Sequence, residues 1–72
     1  MNPYEELANA VVLRAVKDYR KALRTLSRYP NKRSAQHECR SIEQFFRSGW
    51  FGELTSIDPE MLLTKLKTEV TA

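Results

Sequence analysis

The stretch PYEELANAVVLRAVKDYRKALRTLS, residues 3–27, decides the fold. After Pro3 it contains neither proline nor glycine, the two residues that most weaken a helix interior. Its apolar residues Ala8, Val12, Ala15, Tyr19, Ala22 and Leu26 recur at alternating spacings of four and three, and Tyr29 continues the series. That spacing lines them along one side of a helix. Pro3 suits the first helical position with Asn2 as cap, which puts Glu5 and Glu6 in the first turn, where carboxylates favour the positive end of the helix dipole. The sequence therefore predicts a long first helix from Pro3 to about Ser27.

The seam of this helix carries a small side chain at every seventh position: Ala8, Ala15 and Ala22. Alanine there lets a partner helix approach closely, while Val12, Tyr19 and Leu26 fill the space on either side. Leu7, Val11, Leu13 and Val16 make the first half of the helix apolar nearly all round, the pattern of a helix buried on several sides. A chain of 72 residues has little protein with which to cover it. The seam of Ala8, Val12, Ala15, Tyr19 and Ala22 is therefore expected to join copies of the chain in a homo-oligomer.

Working outward, RYPNKRS ends the first helix because Pro30 cannot continue it. Asn31 or Ser34 can cap a second helix that runs to about Arg47, with Ala35, Cys39, Ile42, Phe45 and Phe46 on its apolar face. Gln36, Arg40, Glu43, Gln44 and Arg47 take its other face. Gly49 is placed to terminate that helix in the left-handed conformation, and Gly52 to let another helix come close. After one or two helical turns capped by Ser48, Asp58 as N-cap, Pro59 at the first position and Glu60 in the first turn open a third helix. That helix carries Leu62, Leu63, Leu66 and Val70 on one side, and is expected to fold back over the hairpin. The reading is a single all-α domain over residues 1–72: long helix 1, antiparallel helix 2, an aromatic corner and C-terminal helix 3.

Charge is unevenly distributed. Ten basic residues lie between Arg14 and Arg47 against Asp18, Glu38 and Glu43, whereas both ends of the chain are mildly acidic. Arg14, Lys17, Lys21, Arg24 and Arg28 fall within about a quarter of the first helix's circumference, opposite the alanine seam. This stripe reads as a solvated outer face, as a contact for the acidic surface of a protein, or as a track for a phosphate backbone. In FFRSGWFGEL, residues 45–54, Phe45 continues the apolar face of helix 2. Phe46, Trp50 and Phe51 read chiefly as a plug where helices meet, with an aromatic anchor as the alternative; of the three, Trp50 and Phe51 are the ones expected to look outward.

Several functions find no support. Cys39 is the only cysteine and His37 the only histidine, too few for an internal disulfide or a four-ligand zinc site. Two residues apart on a helix, they face different sides, so a thiolate–imidazole pair is not expected. No cofactor, metal or enzymatic activity is expected. A helix-turn-helix reading is weakened by Glu60 at the start of the would-be recognition helix, where base contacts are made. MNPYEEL is not a signal peptide, and no apolar run approaches the roughly 20 residues that span a bilayer. The expectation is a soluble cytoplasmic protein that contacts no membrane.

Three blocks, ANAVVLRAVKDYRKALRTL, ECRSIEQFFRSGWFGELT and IDPEMLLTKLKTEV, together resemble a group of uncharacterised short helical proteins encoded by phages and integrated mobile elements of Gram-positive bacteria. The resemblance covers nearly the whole chain, and FFRSGWF is its most specific part. It implies no catalytic or ligand residues. What it implies is context: a small protein, acting in the cytoplasm of a host cell, that binds a host protein and inhibits a component of antiviral defence. The alternatives are a small basic nucleic-acid-binding protein and an oligomeric sponge for an anionic nucleotide signal.

Overall fold

The computed structural model describes residues 3–71, so Asn2, the expected cap of the first helix, lies outside the described residues. Four helices follow in order: α1, Pro3–Arg28; α2, Arg33–Arg47; α3, Gly49–Leu54; and α4, Pro59–Thr71. No strand occurs among the described residues. The all-α class and the long first helix agree with the sequence, and the one or two expected turns after residue 48 form α3, a helix of their own.

At 1.5 Å per residue α1 is about 39 Å long, which matches the 41 Å longest dimension of the molecule. The fifteen residues of α2 and thirteen of α4 give helices of only about 20–23 Å. Neither can cover α1 from end to end. The radius of gyration of 12.9 Å exceeds the about 11 Å of a rounder domain this size.

The core sits where all four helices meet. Val12, Tyr19 and Ala22 from α1, Cys39 and Phe46 from α2, Phe51 from α3, and Leu63 and Leu66 from α4 form one buried cluster. Phe46 is its centre, with the Tyr19 ring edge-on at 6.0 Å and the Phe51 ring at 5.2 Å between centroids. Tyr19 brings a hydroxyl into this setting and donates it to Glu43 Oε2 at 2.6 Å. Burial, together with that bond, pushes the phenol well above its usual ionisation range, so Tyr19 stays a neutral donor. Burial also pushes the Cys39 thiol up, with the Glu43 and Glu38 carboxylates adding to the effect.

Two ion pairs mark the course of α4, which is anchored by Leu63 and Leu66 in the core. Arg47 Nε meets Glu60 Oε1 at 2.6 Å where α4 begins, and Arg20 Nε meets Glu69 Oε2 at 3.0 Å near its end. The start of α4 therefore lies beside the end of α2, and its last turns reach the second half of α1. The Asp58 cap forms as expected, its Oδ1 accepting the Glu60 amide at 3.0 Å.

Several local expectations are corrected. The seam assigned to an oligomer is used inside the chain: Ala8, Val12, Tyr19 and Ala22 are buried and Ala15 partly buried against the other helices of the same molecule. Phe51, expected to look outward, is 1% exposed, and Phe46, also an anchor candidate, is 0% exposed. The six residues of α3 explain the burial of Phe51, because neighbours on a helix point about 100° apart and turning Phe51 inward sends Trp50 outward; Phe46 belongs to the buried face of α2. Gly49 opens α3 and does not end α2 in a left-handed turn, since no glycine has positive φ among the described residues. A side chain at Gly52 would meet nothing within 4 Å, so no helix approaches it closely. Lys32, not Asn31 or Ser34, occupies the cap position of α2, without a side-chain hydrogen bond. Ser48 does not cap α3 through its side chain; its hydroxyl donates backward to the Phe45 carbonyl at 2.6 Å and closes α2.

Candidate functional site

Because α1 outruns its partners, each of its ends is left partly open, and the two openings differ in chemistry. Over the first turns, α3 covers α1 from one side only. An apolar groove of about 370 Å³ remains, walled by Tyr4, Leu7 and Val11 from α1 and Trp50 and Leu54 from α3, with Ala8 and Phe45 completing it. Tyr4, Leu7 and Trp50 are 67%, 64% and 66% exposed, and Val11 is 40% exposed. Scattered apolar side chains on a surface are ordinary, but a contiguous set around a hollow marks an interaction site. No charged side chain lines this groove.

The other opening lies about 25 Å farther along α1, where the turn into α2 and the last residues of α4 border its final two turns. Here a cleft of about 590 Å³ collects Arg20, Lys21, Arg24, Arg28 and Lys32, with Tyr29 at its edge. Its single carboxylate, Glu69, is held by Arg20 through Nε and by a longer 3.4 Å contact from Nη2.

Of the predicted basic face, the cleft brings together Lys21, Arg24 and Arg28 but not Arg14 or Lys17. Arg14 instead pairs with Asp18 at 3.5 Å, an exposed i,i+4 contact of small energetic weight. Of the predicted aromatic anchor, only Trp50 reaches the surface; Phe46 and Phe51 belong to the core.

Sequence reading passed over Tyr4, Leu7, Val11 and Leu54 as groove residues, and Arg20, Tyr29 and Lys32 at the cleft. Tyr4, Leu7 and Val11 follow a three-four spacing of their own, a second apolar stripe beside the alanine seam that could have flagged the groove. Arg20 lies outside the stripe and Lys32 outside the helix, so only the turn after Arg28 brings them together. Spacing along α2 alone places Glu43 on the outer face. It is partly buried, accepting from Tyr19 and lying 3.9 Å from Lys67 Nζ and 4.0 Å from Arg47 Nη1.

His37 is exposed while Cys39 is buried, and no group of three or more His, Cys, Asp or Glu side chains that could hold a metal occurs among the described residues. No described helix is long and apolar enough to cross a membrane.

No protein-family model matches this chain, and neither a curated protein nor a solved structure is similar to it. Its function has to be argued from the two openings themselves.

Proposed function

We propose that this chain is a small binding protein that acts by docking another protein's helix in the apolar groove beside Trp50. One observation carries the reading: Tyr4, Leu7, Val11 and Trp50 are open to solvent around a single hollow with an apolar floor. A 72-residue chain with a small core has few large apolar side chains to spare, and leaving four together in water forgoes burial worth about 1.5–3 kcal/mol for a side chain such as leucine. A partner that covers them recovers that burial.

The occupant is an amphipathic helix that docks through its apolar stripe. Tyr4 to Val11 spans about 10 Å of helix, two turns, the length over which a docked helix presents anchors at i, i+3 or i+4, and i+7. The lining carries no charged side chain, so apolar burial supplies the contact. The resemblance to phage-borne proteins makes a host protein the natural source of that helix, antiviral defence components included. Inhibition would follow from occupying a helix the host needs elsewhere.

Trp50 is the only tryptophan, so it reports on its own groove. A synthetic amphipathic helix with leucines at i, i+4 and i+7 and flanking lysines should shift Trp50 emission to shorter wavelength on titration. Leu7→Glu should abolish the shift while leaving helicity unchanged. An unchanged spectrum with a monomeric mass in solution would reject the groove as a docking site. A blue-shifted spectrum before any peptide is added, together with a dimeric mass, would assign it to a second copy of the chain instead.

A further inference from the structure

The geometry of the basic cleft points to a ligand of its own, the phosphate backbone of a single-stranded nucleic acid. Arg20, Lys21, Arg24, Arg28 and Lys32 open on one hollow whose only carboxylate is already bound by Arg20. Lys21, Arg24, Arg28 and Lys32 form no ion pair among the described residues. Cations gathered this way repel one another, and an anion with several charges relieves all of them together.

The spacing suits a backbone rather than an isolated ion. Lys21, Arg24 and Arg28 follow one another at single-turn intervals, about 5–6 Å apart, comparable to the separation of neighbouring phosphates on an extended strand. Arg14 and Lys17 continue the same face, so the whole track runs about 21 Å along α1. Tyr29, 61% exposed, stands where α1 gives way to the turn. A basic groove bordered by an exposed aromatic ring is the combination that sequence-tolerant single-strand binders use, the cations following phosphates while the ring stacks on a base. An acidic protein surface would answer the charge but not the ring.

The test is fluorescence anisotropy of a labelled mixed-sequence single strand titrated with the full chain. With about four phosphates neutralised, raising salt from 50 to 200 mM should weaken binding about 50-fold. Arg24→Glu with Arg28→Glu should weaken it at least tenfold at 50 mM salt. If charge reversal disturbs the fold by circular dichroism, Lys21→Gln with Lys32→Gln should act in the same direction. Tyr29→Ala should lower affinity about fivefold or more with the salt dependence unchanged. No binding at 50 mM salt would overturn the proposal, as would binding that every variant retains. Tighter binding of a duplex, or displacement by polyglutamate as effective as by unlabelled strand, would overturn it too.

Discussion

The two halves of α1 bury the same kind of seam and differ in what they leave uncovered. The first half buries Ala8 and Val12 and exposes Tyr4, Leu7 and Leu13; the second buries Tyr19 and Ala22 and exposes Lys21, Arg24 and Arg28. The difference comes from the company each half keeps. Six residues of α3 flank the first, whereas α2 and α4 enclose the second and α4 ties itself there through Glu69 and Arg20. A long helix with short partners has open ends, and here one end is apolar and the other cationic. The core between them is shared, so the ends should be separable in function but not in stability.

Phe46→Ala tests the shared core and should have the largest effect. Removing a fully buried phenylalanine costs about 3–5 kcal/mol, a large part of the about 4–11 kcal/mol expected for a chain of this length. Chemical denaturation should show one transition, moved strongly to lower denaturant by whichever end is monitored. Two separate transitions would mean that the ends do not share a core.

Tyr19→Phe should cost less, about 1.5–3 kcal/mol, because it removes one hydrogen bond to a carboxylate while keeping the ring. Lys67 and Arg47 remain near Glu43, which places the expected loss at the low end. Measured by the same denaturation, a change below a few tenths would show that the bond does not help to join α1 to α2.

Surface changes should sharpen the contrast. Trp50→Ala should alter stability by no more than about 0.5 kcal/mol and yet remove peptide docking, while leaving oligonucleotide binding intact. Paired melting and binding measurements check this, and loss of both ligands together would break the comparison.

The smallest effect concerns pH. The hydrogen bond from Arg47 holds the Glu60 carboxyl below its usual range. The pair's contribution is therefore complete above the ordinary carboxylate range, near pH 4.3, and is lost as pH falls through the depressed native value. Both side chains are well exposed, so the melting temperatures of the natural chain and Glu60→Gln should differ slightly at pH 6 and converge by about pH 2.

Much of the fold was legible in the sequence because its signals are local. The four-three spacing of α1, the stop at Pro30 and the Asp58–Pro59 start each depend on a few neighbouring residues. The aromatic corner was less legible. Phe46, Trp50 and Phe51 are all large and apolar, and the short α3 decides which turn inward, a rotation that sequence spacing fixes only once the helix start is known. The open ends were harder still. That Leu7 and Val11 remain exposed follows from the lengths of α2, α3 and α4 relative to α1, and the gathering of Arg20 and Lys32 with the stripe follows from the turn between α1 and α2. Glu43 shows the same limit: its partners come from three helices, and spacing along α2 alone places it outside.

The most direct test of separable ends is amide chemical-shift mapping of the isotopically labelled chain, titrated first with the amphipathic peptide and then, in a fresh sample, with the single-stranded oligonucleotide. Peptide shifts should be confined to residues 4–11 and 45–54, and oligonucleotide shifts to α1 from Arg14 onward and the turn through Lys32. Both ligands shifting the same residues, or shifts spread through the core, would contradict that separation.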